Sequence, residues 1–194
     1  MKLDEIRKWL AAKNVAHPWS SEGLQRAVIE RDLRPLKKED LPSVFMYKRT
    51  LPHWELDGST YFITFRVQKE LSRPLESRVL ASCVEEVLWL GHGERFVLDA
   101  YVIMPDHVHV LLRPMTGWTL ARILQGIKGY SARQINAILG RKGAVWQKES
   151  FDHLIRHEED WLDKLNYIHM NPVTAGLVDR PEDYPFSSMA TISG

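Results

Sequence analysis

Two histidines one residue apart, His107 and His109, stand in Met104-Pro105-Asp106-His107-Val108-His109-Val110-Leu111-Leu112. In an extended strand successive side chains alternate faces, so both imidazoles share one face while Val108, Val110 and Leu112 turn into the core. Their Cα atoms then lie about 6.5–7 Å apart, a separation from which both rings reach one divalent cation. A third ligand has to come from elsewhere. On these residues alone, two half-exposed strand histidines without a role fit equally well.

A second group is Asn166-Tyr167-Ile168-His169-Met170-Asn171-Pro172-Val173. Tyr167 and Asn171 are four apart and share a helix face, with Asp163 one turn earlier, while Leu162, Leu165 and Ile168 fall on the core side. A tyrosine on the polar side of such a helix has its hydroxyl free for chemistry; the alternative is a partly buried aromatic with a satisfied hydroxyl. An amide at Asn171 can coordinate the cation of the two histidines, or cap the helix before Pro172. A cation beside a tyrosine suits phosphodiester cleavage. A phenol, with its ordinary pKa of about 10, is a poor nucleophile at neutral pH, and a metal stabilises charge developing on the phosphoryl oxygens. The resulting phosphotyrosine link conserves the energy of the broken bond, so strands can be rejoined without ATP.

The elements that must position these residues are readable from periodicity. Thr60–Val67 is aromatic, β-branched and nearly alternating, which predicts a strand. Pro74 to Gly91 predicts a helix with Leu75, Val79, Leu80, Val84, Val87 and Leu88 on its apolar side. Phe96–Met104 and His107–Arg113, separated by Pro105-Asp106, predict a hairpin. Thr119–Leu139 predicts a second amphipathic helix, with Leu120, Ile123, Leu124, Ile127, Tyr130, Ile135 and Ile138 inward and Gly140 as its stop. Ala144–Arg156 supplies a fourth strand. His157–Met170 forms a further helix that ends at Asn171-Pro172. The order βαββαβ fits an α+β, ferredoxin-like antiparallel sheet with two helices on one face. Ahead of it, Leu3–Lys13 and Ser21–Asp32 predict two short helices, followed by a polar linker that includes Lys37–Pro42. Residues 1–45 are therefore expected to be a helical extension and linker, and residues 46–194 the main domain.

The 194 residues carry a formal net charge of +1, which hides a strong asymmetry. From Val110 to Glu149, seven basic residues face Glu149 alone, a net of +6; from Ser150 to Gly194 three basic residues face eight acidic ones, a net of −5. The middle segment suits a polyanionic partner: Arg122, Lys128, Arg133, Arg141 and Lys142, with Trp146, can hold phosphates and stack a base. The lone Cys83 excludes an internal disulfide and a Cys-based metal site, and points to a cytoplasmic protein. No stretch approaches the ~20 apolar residues needed to cross a bilayer, so no membrane partner is expected.

His107-Val108-His109 after its turn is similar to the HUH motif of single-strand DNA nucleases. Joined to Tyr61-Phe62-Ile63-Thr64-Phe65, to Tyr167 through Val178 and to Pro181-Glu182-Asp183-Tyr184-Pro185-Phe186-Ser187-Ser188, it resembles the IS200-like Y1 transposases, in particular their REP-associated tyrosine branch. The resemblance covers residues 47 to 188. It implies a HUH-type ferredoxin-like fold with an extra C-terminal catalytic helix and a divalent metal, Mg²⁺ or Mn²⁺. It further implies a single tyrosine that cleaves and rejoins single-stranded DNA beside hairpin-forming repeats through a 5′-phosphotyrosine. Position by position, His107 and His109 match the metal pair, Tyr167 the nucleophile and Asn171 the polar residue that assists at the metal. Tyr130 is a rival nucleophile, but its spacing places it in the core and the REP-associated pattern favours Tyr167. The branch favours a monomer, with a dimer as the alternative. A structure-specific DNA-binding protein that no longer cuts is the second expectation.

Overall fold

Alternation in Tyr61-Phe62-Ile63-Thr64-Phe65-Arg66-Val67 places this segment in the middle of a four-stranded antiparallel sheet, and both of its faces are covered. The protein is represented by a computed structural model that describes residues 45–48, 52–55 and 58–190. The two helices predicted ahead of residue 45 lie outside the described residues. A short antiparallel pair comes first, β1 (Phe45–Lys48) with β2 (Pro52–Glu55), Phe45 opposite Glu55. Then follow β3 (Tyr61–Val67), α1 (Arg78–Gly91), β4 (Phe96–Ile103), β5 (His107–Pro114), α2 (Leu120–Ile138), β6 (Trp146–Leu154) and α3 (Glu158–Thr174). The main sheet runs β4-β5-β3-β6, with every neighbour antiparallel. This is the expected α+β, ferredoxin-like arrangement.

On one face Tyr61, Ile63, Phe65 and Val67 of β3 and Val108, Val110 and Leu112 of β5 pack against the apolar sides of α1 and α2. The last residue of α1, Gly91, has no room for a side chain because the Phe96 ring crosses there: a Cβ at 91 would lie 2.3 Å from a ring carbon. Thr119 caps α2 by accepting from the Arg122 amide at 3.2 Å, and Trp146 of β6 donates its indole N–H to the buried Ser131 hydroxyl at 3.0 Å. Val79 and Ile138, assigned to the buried sides by spacing, are exposed. Ile138 is the last residue of α2, and Val79 stands about 100° round α1 from the buried Leu80.

The opposite face belongs to α3. Phe62, Ala100, Val102, Met104 and Leu111 form a second core with Trp161, Leu162, Leu165 and Ile168. Glu158, Glu159 and Asp160 fill the first turn of α3, where carboxylates favour the positive end of the helix dipole. The helix does not end at Asn171-Pro172 as predicted; it continues to Thr174. Proline forfeits only its own amide bond to Ile168, and the turn closes beyond it, with Ala175 N donating to Asn171 O at 3.0 Å. The predicted fourth strand is shorter at both ends, and its register against β3 slips between Phe65 and Val67, at the polar Gln147-Lys148-Glu149 interruption.

The segment after α3 is fixed to the outer edge of β4. Ile103 N donates to Phe186 O at 2.9 Å, Ser188 N to Tyr101 O at 3.0 Å, and the Tyr184 hydroxyl to Ile103 O at 2.8 Å. Ser188 Oγ also lies 3.0 Å from Nε2 of His169, a buried residue of α3. Burial pulls the His169 imidazole down to about 4, so it is neutral near pH 7. Among the described residues no helix is long and apolar enough to cross a membrane.

Candidate active site

The turn before β5 decides which way its histidines point, and it is held from both sides. Val67 N donates to Asp106 O at 2.8 Å, Leu75 N to Pro105 O at 3.0 Å, and Met104 N to His107 O at 2.8 Å. With that start fixed, His107 and His109 face α3 while Val108 and Val110 enter the other core.

Around His109 three rings converge. Phe62 stacks on it with centroids 5.4 Å apart, and His107 and Tyr167 meet it edge-on at 4.7 and 5.1 Å. Phe62 also meets Tyr167 edge-on at 5.7 Å. His109 is only 3% exposed, whereas Tyr167 is 49% exposed, so the site joins a dry histidine to a phenol open to solvent.

Hydrogen bonds assign the free ring nitrogens. His107 Nδ1 lies 2.6 Å from Asp106 Oδ1, and Arg66 Nη1 is 3.6 Å from the other oxygen of that carboxylate. Burial pushes the Asp106 carboxyl up, but the bond from His107 and the charges of His107 and Arg66 outweigh this and hold it below the usual carboxylate value. Asp106 is therefore an acceptor, His107 Nδ1 carries the proton, and the Nε2 lone pair is left over. His109 Nδ1 lies 2.7 Å from Thr64 Oγ1, and its Nε2 is buried with no hydrogen-bond partner. Burial pulls the His107 imidazole below its ordinary value, and burial with the neighbouring charge of His107 pulls His109 down to about 3. Both rings are neutral bases near pH 7. A buried, orphaned imidazole nitrogen is costly unless something fills it, and a cation bound by neutral imidazoles with protein-held second nitrogens is a matching group. Among the described residues no third His, Cys, Asp or Glu joins the pair in a metal-binding cluster. Further ligands from the described residues would be amide or backbone oxygens, joined by water or substrate oxygens.

The Tyr167 ring thus lies beside His109. Asn171 is half-buried one turn farther along the same side of α3. Because α3 runs from Trp161, whose indole donates to Asp99 at 3.1 Å, past Tyr167 beside His109, Asn171 continues towards the His107 end of the sheet. Tyr130 is on the other side of the sheet, where its hydroxyl donates to Glu86 at 3.0 Å. The basic residues also stand apart from the histidines: Arg122, Lys128 and Arg133 on α2, Arg141 and Lys142 on the loop after it. Lys128 donates to Lys148 O at 3.2 Å and to Ser150 Oγ at 3.0 Å, which ties α2 to β6. Sequence reasoning missed Thr64 and Phe62 as supports of His109. Their signal was the phase of β3, which puts Phe62 and Thr64 on the face opposite Ile63 and Phe65.

The pattern of IS200-like transposases matches residues 67–169, a span that contains His107, His109 and Tyr167. The REP-associated tyrosine transposase of Escherichia coli is 27% identical over 139 residues, covering 69% of this chain and 78% of that protein. A putative REP-associated tyrosine transposase of Haemophilus influenzae is 33% identical over 103 residues, covering 48% of this chain and 58% of that one. Among solved structures, a REP-associated tyrosine transposase bound to a REP hairpin superposes with a TM-score of 0.58 at 26% identity, over 75% of this chain and 82% of that chain. With more than half of its length matched, the chain belongs to the IS200-like transposase family.

Proposed function

We propose that this transposase is a metal-dependent single-strand DNA endonuclease and transesterase that cuts and rejoins DNA beside hairpin-forming repeats. The observation that carries this reading is the Tyr167 ring 5.1 Å from a histidine whose outward nitrogen is buried and unpartnered. His107 and His109 would hold a divalent cation, Mg²⁺ or Mn²⁺, with the Asn171 amide completing or orienting its shell. When bound, that cation supplies positive charge to the non-bridging phosphoryl oxygens.

The chain's own residues do the rest. Tyr167 Oη attacks phosphorus, the Oη–P bond forms as the P–O3′ bond breaks, and the 3′ oxygen leaves as a hydroxyl. The phenolic proton passes to bulk water, and the departing oxygen takes one up. The product is a 5′-phosphotyrosine, and attack by a 3′-hydroxyl reverses the step. Phe62 and the buried side of α3 fix the Tyr167 ring edge-on, so little orientation has to be bought at the moment of attack. Arg122, Arg133, Arg141 and Lys142 are the phosphate contacts. A monomer is favoured, because the tyrosine and both histidines of one chain already meet; a cytoplasmic setting follows from the DNA substrate.

The test incubates the protein with 3′-labelled hairpin DNA and Mn²⁺ or Mg²⁺ and seeks a protein–DNA adduct on a denaturing gel. The adduct is expected in wild type and Tyr130→Phe and absent in Tyr167→Phe. Hairpin binding without any adduct, under either metal, sinks the enzyme reading and leaves a non-cleaving DNA-binding protein.

A further inference from the structure

The exposed side of α2 carries two glycines that the fold does not need. At about 100° per residue, Arg122, Gly126, Gly129 and Arg133 fall on one stripe, opposite the buried Ile123, Leu124, Ile127, Ser131 and Ile135. Glycine is the poorest helix former after proline, so two within one helix weaken it. Neither has a left-handed backbone that would call for glycine. Among the described residues neither is crossed by another element: a Cβ at Gly126 would meet only an Arg95 nitrogen, and one at Gly129 only an Arg133 nitrogen, each at an ordinary 3.7 Å. A weakened helix face that no described residue justifies makes room for a partner.

Charge says what kind of partner that is. α2 has no acidic residue, and Arg122 and Arg133 bracket the glycines about 16 Å apart along the axis. At the N-terminal end Trp118 is flanked by two guanidiniums, Arg122 at 4.6 Å and Arg95 at 5.3 Å from its ring. At the other end the helix leads to Arg141 and Lys142. The loop that carries them closes with Val145 O accepting from Gln68 N at 2.8 Å, next to Val67, which holds the Asp106 turn of the active site. The stripe is thus a bare, cationic track that begins at Arg95 and Trp118 and runs towards the histidine end of the sheet on the sheet's other side.

We infer that the Arg122–Gly126–Gly129–Arg133 stripe, with Arg95 and Trp118, seats the sugar–phosphate backbone of the duplex stem of a DNA hairpin. Phosphates come close to the helix where side chains are missing, the two arginines reach phosphate rows on either side of a groove about 12 Å wide, and the adjoining single strand continues past Arg141 and Lys142 to the cation site. This deepens the proposed DNA-cleaving function and rests on it.

The test uses the full chain and compares wild type, the double variant Gly126→Ala/Gly129→Ala and the double variant Arg122→Ala/Arg133→Ala. Measured are the melting temperature, the affinity for a fluorescent hairpin at several salt concentrations, and adduct formation on an unpaired oligonucleotide. The alanines are expected to raise the melting temperature by about 2–4 °C each, as better helix formers do, yet to weaken hairpin binding about tenfold. The arginine double variant lowers the salt slope by about 2. Adduct formation on the unpaired oligonucleotide stays unchanged in the glycine-to-alanine double variant. Equal hairpin affinity in the stabilised alanine variant overturns the stem assignment and leaves the catalytic reading intact. A lowered melting temperature overturns it too, by showing that another part of the protein packs on the stripe, and weakened action on the unpaired oligonucleotide transfers the stripe to the single strand. A wild type that binds no hairpin overturns both readings.

Discussion

Thr64 Oγ1 lies 2.7 Å from His109 Nδ1, a bond between strands whose residues are 45 positions apart in the chain. It settles which ring nitrogen of His109 faces the site. Thr64→Val keeps the shape of the side chain and removes this bond. Its expected effect is a 10–100-fold loss of Mn²⁺ affinity, by the general cost of losing an orienting partner, with little change in folding. Titration calorimetry checks it, and a fully retained affinity would show that packing against Phe62 alone orients the ring.

Phe62 touches both His109 and Tyr167. Phe62→Leu keeps most of the apolar volume and is expected to cost less than about 1.5 kcal/mol of stability. It removes a flat surface from both rings, so the rate of adduct formation is expected to fall far more than the fraction folded. Thermal melts and single-turnover gels on the same preparation separate the two.

Asp99 carries a pH signature. Burial pushes its carboxyl up to about 6, against the pull of the Trp161 indole and Arg113. In the unfolded chain the same group titrates near its ordinary value, so between those two values the folded state binds the extra proton. Its contribution is therefore fully present below about pH 4 and is lost as pH rises through about 6. Asp99→Asn, which can still accept from Trp161, is expected to raise stability at pH 7 by about 2 kcal/mol and to change nothing at pH 4. Denaturant melts at the two pH values test the sign, and equal stability of both proteins at pH 7 sinks it.

Lys128 is charged, half-exposed and on the basic helix, yet its ammonium is engaged by β6. Lys128→Met is expected to lower stability by about 1–2 kcal/mol, because a carbonyl in the irregular part of β6 loses its donor, while hairpin affinity holds within about twofold. An intact melting temperature with a tenfold weaker complex would return Lys128 to the phosphate contacts.

Much of this site was legible because it depends on local periodicity. The alternation around His107 and His109 places both rings on one face whatever the rest of the fold does, and the four-residue step from Tyr167 to Asn171 is a property of any helix. What pairs with what was not legible: Thr64 meets His109 only through the register of β3 on β5, which closes a long loop and leaves no local trace. The continuation of α3 through Pro172 was missed because proline forbids one bond, not the helix beyond it. The β1–β2 pair was not predicted, because two strands of four residues are too short to show a period. The second core was foreshadowed by Val108, Val110, Leu111 and Leu112, too apolar a run for a strand wet on one side.

The segment along β4 has a consequence of its own. An outer strand offers a row of open amides and carbonyls on which a foreign strand can template itself, the usual start of sheet-to-sheet aggregation. Here Tyr101 to Ile103 are already engaged by Phe186 to Ser188 of the same chain. The protein supplies its own selvedge at that stretch, so a second copy cannot extend the sheet there, and copies crowded along one DNA molecule have to meet through side chains at this border.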